Sequence, residues 1–390
     1  MVVIFLYGCA PTKSVQQRLA GAQRGINAVD YPSIQAAIDD LPVEGGIVFL
    51  PPGTFEIERP ILIYSGDVHL MGSGPSTHII NTNAMGQPAI ILSSDTTEFV
   101  GKEALWRVQL SNFRVTGNPE SGHGILARYI NEVFITSVTV SEHGQDGIRL
   151  DHCIENPRIT QNQITYNKNV GLNILGGHDI VVNANQFEEN EDALHCIDGF
   201  NLTMSGNNLD DHLRHGVVIE NTYGSVISGN MIEECDGTAV VLDRDCYGIN
   251  IGGNVIAHNG IGVDLRDAHG MAVSANTFTI NRDHGLLIGS GSSRIAVTGN
   301  SFSDSHIGDG QVKRRPNDLN ASGILLEGCR EILISSNMFS GISPGKAFEM
   351  KSDPVHIKFD GNMIVDSESD HEKLGGSTPG SNLMIDHRDE

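Results

Sequence analysis

The sequence is poor in cations, aromatic rings and long apolar runs. Lys and Arg total 25 against 48 Asp and Glu, a formal net charge of −23. That balance argues against nucleic acid and against unassisted binding of polyanionic sugars such as pectate or alginate. Neutral partners, or acidic ones bridged by calcium, are easier to accommodate. Aromatic residues make up 5% of the chain, so a core must come from the Ile, Val and Leu within its 39% apolar content, packed in one elongated domain. Beyond the N-terminus no apolar run approaches the ~20 residues of a membrane helix. The six cysteines form no Cys-x-x-Cys pair, so a cysteine metal site is not expected. Cys153, Cys246 and Cys329 fall at equivalent places several repeats apart, too far to pair, and read as a small apolar position facing inward. Cys196 takes an inward strand position and Cys235 a loop.

What the sequence does have is a repeat. Asn162, Asn185, Asn207, Asn230, Asn254, Asn276, Asn300, Asn337 and Asn362 stand 23, 22, 23, 24, 22, 24, 37 and 25 residues apart. That period fits one coil of a solenoid and is too short for an independent domain. Residues 216–230 read GVVIENTYGSVISGN and residues 262–276 read GVDLRDAHGMAVSAN. Each is an alternating apolar run, a turn, and a second alternating run ending at the asparagine, and a period of 2 means strand. A third short run follows, then a polar loop returning to the next glycine. Three short strands per coil, with no helical pattern between them, predict an all-β chain of three parallel sheets. The winding expected is right-handed, the hand that parallel crossovers prefer. Asparagine suits the bend because it tolerates left-handed or bridge backbone angles, and stacked coils let one side-chain amide bond the next. About ten to twelve coils at ~4.8 Å each make a rod of roughly 50 Å.

This grammar, with residues 31–57 (YPSIQAAIDDLPVEGGIVFLPPGTFEI), resembles the pectate-lyase-like superfamily of right-handed parallel β-helices over roughly residues 30 to 370. The resemblance implies an amphipathic capping helix at residues 33–41 and a first strand at 46–50, the helix covering the open end of the stack. It also implies a polysaccharide groove on the outer face of each coil's first sheet. The scaffold hosts lyases, hydrolases, epimerases and plain binding surfaces, so the motifs are specific for fold rather than reaction.

On the first strand of each coil the apolar residues face inward and the intervening ones face solvent. One outward column reads Asp151, Leu175, Ile197, Glu220, Asp243, Arg266, Gly289 and Glu327. A second, two residues earlier, reads Arg149, Asn173, His195, Val218, Val241, Asp264, Leu287 and Leu325. The loops leading into these strands carry Asp192, Asp210, Asp211, His212, Arg214, His215, Glu233, Glu234, Asp236, Arg282, Asp283 and His284. Crowded carboxyls raise one another's pKa, as a general acid requires near neutral pH, although polar turns are also acidic without function. Glu220 and Asp243 share a column at about 5 Å, near the spacing of retaining glycosidases; Asp243 and Asp264 lie on a diagonal of roughly 8 Å, near the inverting spacing. Glu220, Asp236, Asp243 and Asp264 are therefore the catalytic candidates. His195, His215 and Arg266 are candidates for holding hydroxyls or developing charge.

Seven residues before five successive ladder asparagines stand His178, Phe200, Tyr223, Tyr247 and His269. A row of rings beside the acidic sheet can stack on sugars, which makes Tyr223, Tyr247 and His269 binding candidates; the alternative is a buried aromatic stack closing the turn. Between Phe302 and Gly323 the chain carries an insertion with Lys313, Arg314 and Arg315, placed where solenoids gather binding loops and able to meet an acidic group, or else a solvated loop.

At the N-terminus Leu6-Tyr7-Gly8-Cys9 resembles a bacterial lipobox, and the expectation is an exported chain anchored through Cys9, periplasmic, on the outer membrane or extracellular. No basic stretch precedes this short run, so the expected start lies upstream. Residues 1–9 then form the leader, 10–29 a tether, 30–370 the β-helix and 371–390 a polar cap or tail.

The reading is an enzyme that cleaves glycosidic bonds of a polysaccharide, acting as a hydrolase through groove carboxylates. One alternative is a lyase, for which the resemblance implies an Arg or Lys base and calcium. The outward columns offer only Arg149 and Arg266, and no alginate-epimerase or polygalacturonase signature is present. Residues 215–221 (HGVVIEN) and 322–339 faintly resemble inulin fructotransferases of the same fold, too briefly to carry over a residue. The other alternative is a non-catalytic glycan-binding or structural surface protein. No metal ligand set is assigned.

Overall fold

The computed structural model describes residues 25–94, 105–303, 321–374 and 381–387. Cys9 and the Lys313 to Arg315 cluster lie outside the described residues.

The stack begins with a cap. The Ser33 hydroxyl accepts the Ala36 N–H at 3.0 Å, starting the helix Ile34–Asp39, which buries Ile34, Ala37 and Ile38. The Gln35 amide then satisfies the sheet edge: its nitrogen donates to the Leu62 carbonyl and its oxygen accepts the Leu62 N–H at 2.7 Å. Ile61–Ile63 is the terminal strand of a 12-stranded parallel sheet that runs coil by coil to Phe348–Lys351. The other two faces, expected as separate sheets, join into one 27-stranded sheet. Long strands such as Leu105–Thr116 and Ile130–Ser141 run through the bend that divides the two faces elsewhere. The winding is right-handed, with about 14 turns rather than ten to twelve, because strands preceding Asn162 complete coils that carry no ladder asparagine. Ile26–Asn27 and Leu383–Ile385 add strands at the two ends.

Alternation fills the interior. Leu194, Cys196, Val217, Ile219, Val240, Leu242, Val263 and Leu265 are fully buried. Phe278, Phe302 and Phe339 stack at 4.5 and 5.0 Å between centroids. Coils approach so closely that a Cβ on Gly216 would lie 2.6 Å from the Ala239 carbonyl, which explains the glycine opening the repeat. All five described cysteines are buried; burial pushes the Cys153 and Cys196 thiols up to about 12 and those of Cys246 and Cys329 to about 11. Cys235 lies, as expected, in a loop, between the strands Met231–Glu233 and Thr238–Asp243, and is buried there.

The asparagines work differently from the backbone argument. The left-handed residue is the one before each of them: Gln161, Ala184, Gly206, Gly229, Gly253, Ala275, Gly299, Ser336 and Gly361. Each asparagine is buried and bonds the next coil. In Asn254 the oxygen accepts the Asn230 N–H and side-chain amide at 3.0 Å, and its own amide donates to the Ile227 carbonyl and the Asn276 oxygen. This ladder extends to Asn382.

A second ladder lies five residues on, through His143, Asn167, Asn190, His212, Cys235, Asn259 and Asn281. His212 and Cys235 interrupt its chain of amides. The buried Nε2 atoms of His143 and His212 have no hydrogen-bond partner among the described residues, and burial lowers both rings to about 4.

Asn254→Ala strands four polar groups and is expected to cost about 3 kcal/mol, measured by urea unfolding. The histidines add a pH dependence. Unfolded histidine protonates near 6.5 and the folded rings only near 4, so stability declines as pH falls from 6.5 to 4, where only the unfolded chain gains protons. His212→Asn should shrink that decline by on the order of 3 kcal/mol in the same assay.

Candidate functional site

The strands His215–Glu220, Thr238–Asp243 and Ile261–Leu265 sit side by side in the 12-stranded sheet. Their register pairs Ile197 with Glu220 and Glu220 with Asp243 in one column, and His195 with Val218, Val218 with Val241 and Val241 with Asp264 in the other. Both expected columns are thus formed. Val218 and Val241 are buried although they face outward, so they make an apolar floor between His195 and Asp264.

Asp264 is the most unusual group on this face. It is 5% exposed; its Oδ2 accepts the Arg266 Nε–H at 2.8 Å, while its buried Oδ1 has no hydrogen-bond partner among the described residues. A carboxylate oxygen is costly to bury unpaired, so this atom is an unsatisfied acceptor on this face. Arg266 also lies 3.8 Å from Asp243 and therefore bridges two catalytic candidates. Glu220 accepts from Arg244 at 2.7 Å and stands 3.7 Å from the His195 Nε2. Burial lowers the His195 pKa against the opposing pull of Glu220 and Asp192. The His215 Nδ1 accepts the Thr238 N–H at 3.0 Å, which assigns its proton to Nε2, and burial lowers this ring's pKa too. Fully buried Asp192 anchors the rim: it takes the Arg214 Nε–H at 2.9 Å and the His215 N–H at 2.9 Å.

His195, His215, Glu220, Asp243, Asp264 and Arg266 are gathered in this way. Asp236 is not. Its side chain is 75% exposed on the loop before its strand, with Arg282 at 4.0 Å. The ring column is in register from His178 through Phe200, Tyr223 and Tyr247 to His269. Phe200, Tyr223 and Tyr247 are 44%, 37% and 48% exposed, so this is an open row rather than a buried stack. His269 is tied down by Ser293 at 2.9 Å and Asp267 at 3.0 Å.

Arg244 and Asp146 were not found from the sequence. Asp146 is fully buried and holds Asn169, Asn173 and the Val170 N–H, with Arg149 at 3.5 Å. A signal for Arg244 existed: acid and arginine one coil apart, as in Asp192 and Arg214, Glu220 and Arg244, Asp243 and Arg266. Among the described residues, two groups have ligand geometry for a metal ion, Glu155 with His178 and Asp179, and Asp210 with Asp211 and Glu234. The all-carboxylate set suits a hard cation such as calcium. Burial and the neighbouring Asp211, Glu233 and Glu188 raise Asp210 to about 6.

The chain folds as a right-handed parallel β-helix. Residues 99–225 match the family described as right handed beta helix region, and residues 171–314 match the one described as periplasmic copper-binding protein (NosD). No curated protein matches the chain. Among solved structures, the Agl-KA catalytic domain is similar at 16% identity and a TM-score of 0.60, over 94% of this chain and 69% of that one. The A-module of the Azotobacter vinelandii mannuronan C-5 epimerase AlgE6 is similar at 16% identity and 0.53, over 92% and 97%. The Dettilon tailspike protein is similar at 15% and 0.55, over 91% of this chain and 64% of that one, less than two thirds of its length. At these identities the likeness shows the fold.

Arg266→Met leaves buried Asp264 without its counter-ion and is expected to cost about 2 kcal/mol, less than a fully buried pair because the guanidinium is half exposed. Adding Asp264→Asn should return most of the loss. Urea unfolding of the two single variants and the double variant measures this coupling.

Proposed function

We propose that this protein is an exported carbohydrate-active enzyme that hydrolyses glycosidic bonds of a polysaccharide. The observation that carries the reading is the buried Asp264 Oδ1, without a hydrogen-bond partner among the described residues, on the face that also bears Asp243 and Glu220. Asp264, paired with Arg266, takes the proton of an attacking water, and a carboxyl from Glu220 or Asp243 protonates the leaving oxygen. His195 and His215 line the same face as partners for hydroxyls, and the exposed rings of Phe200, Tyr223 and Tyr247 offer stacking surfaces.

The pairing of the arginines favours hydrolysis over elimination. Arg149, Arg214, Arg244, Arg266 and Arg282 each lie beside a carboxylate, so none of them stands ready as a lyase base. Copper binding, named for the family matched by residues 171–314, has less support. The soft thiolate donors that favour copper are here buried cysteines whose thiols burial pushes up. Export is supported by the periplasmic description of that family.

The test is digestion of neutral and acidic polysaccharides with and without calcium, following reducing ends and ultraviolet absorbance together. Reducing ends without absorbance are expected, and Asp264→Asn should lower kcat by roughly 10²- to 10⁴-fold with binding retained. Calcium-dependent absorbance would establish a lyase instead, and cleavage unchanged in Asp264→Asn would remove Asp264 from the mechanism. Binding without cleavage across the panel would make the chain a glycan-binding protein.

A further inference from the structure

Beyond Asp264 the same face opens into a recess of about 510 Å³, within the range of sites that hold small ligands. It is reached in one coil step, because Asp264 pairs with Leu287 and Ile261 pairs with His284. We propose that this recess, lined by Ile261, Arg282, His284, Leu287, Ser322 and Pro344, is a subsite for an uncharged, hydroxyl-bearing sugar ring flanking the bond cleaved above Asp264. The proposal rests on the hydrolase reading and deepens it.

The recess offers both halves of sugar recognition. Ile261, Leu287 and Pro344 present apolar surface to the C–H face of a ring. His284 lines the recess and its buried Nδ1 has no hydrogen-bond partner among the described residues, so a turn of the ring that brings this atom to a bound hydroxyl satisfies a group otherwise unpaired. Burial lowers the His284 pKa, which keeps the imidazole neutral.

Charge selects against a uronate here. Arg282 donates to the Asp236 carbonyl at 3.1 Å with the Asp236 carboxylate at 4.0 Å, and Lys351, which faces His284, lies 3.3 Å from Glu349. Asp283 and Asp264 add negative charge on the same side. A carboxylate entering the recess finds acids around it and, among the described residues, Arg282 and Lys351 already engaged.

The experiment measures calorimetric binding of short and long linear oligomers of glucose, xylose and fructose, and of galacturonate, to the full chain carrying Asp264→Asn. Long neutral oligomers should bind more tightly than short ones. His284→Ala should erase about tenfold of that difference, and Leu287→Trp should erase it by filling the recess. Urea midpoints equal to the parent separate lost binding from misfolding.

Equal affinity for both lengths, or no change in either variant while cleavage still depends on Asp264, overturns the subsite and leaves the hydrolase reading standing. Galacturonate bound more tightly than neutral oligomers, through a contact that His284→Ala removes, overturns the uncharged class. No cleavage by the unmutated chain and no binding of any oligomer overturns the hydrolase reading, and the subsite with it.

Discussion

Everything in this molecule depends on one contact: the parallel pairing of each coil with the next, reinforced by the buried asparagine amides. Backbone pairing alone fixes spacing, but a strand can slip along its neighbour at little cost where the side chains are repetitive. An asparagine that accepts a backbone N–H and donates to a backbone carbonyl of the neighbouring coil cannot slip without stranding several buried polar groups. The ladder is therefore a register lock, and the site is a product of register. Glu220 meets Asp243, and Asp264 meets Leu287, only because no coil is out of step.

This explains why the fold was so legible. The ladder asparagines are spaced by the coil itself, and alternation of small apolar strands leaves little room for another architecture. The cap was readable from Ser33 and the apolar face behind it. Both outward columns came directly from the alternation, since position in the column needs only the period. What the period did not convey was how two faces of the coil fuse into one sheet, or that the residue before each asparagine, not the asparagine, takes the left-handed backbone. The second ladder was present in the sequence as an asparagine five residues after the first, but His212 and Cys235 break its pattern at the centre of the chain.

The site was legible in position and less so in chemistry. Sequence places Glu220, Asp243, Asp264 and Arg266 on one face, yet it treats Asp236 as their equal. Only the loop geometry sends that side chain into solvent. Nor does the column show which carboxylate is fully engaged. Glu220 is held by Arg244, which lies in the turn beyond the strand, whereas Asp264, at the end of the apolar floor, leaves one buried oxygen unpaired among the described residues. Such differences come from side chains reaching across coils from turns, and a period-2 pattern carries no information about them.

The gap in the second ladder has a mechanical meaning. In a linear array each unit is coupled only to its neighbours, so resistance to unravelling is set locally, joint by joint. The joints around His212 and Cys235 hold one amide chain where their neighbours hold two, and these are the coils that bear Asp192, Glu220 and Asp243. Between Asn162 and Asn281, where both ladders otherwise run, the singly tied joints are the ones beneath the chemistry. Local opening on heating would then reach the site before the doubly tied coils on either side of it.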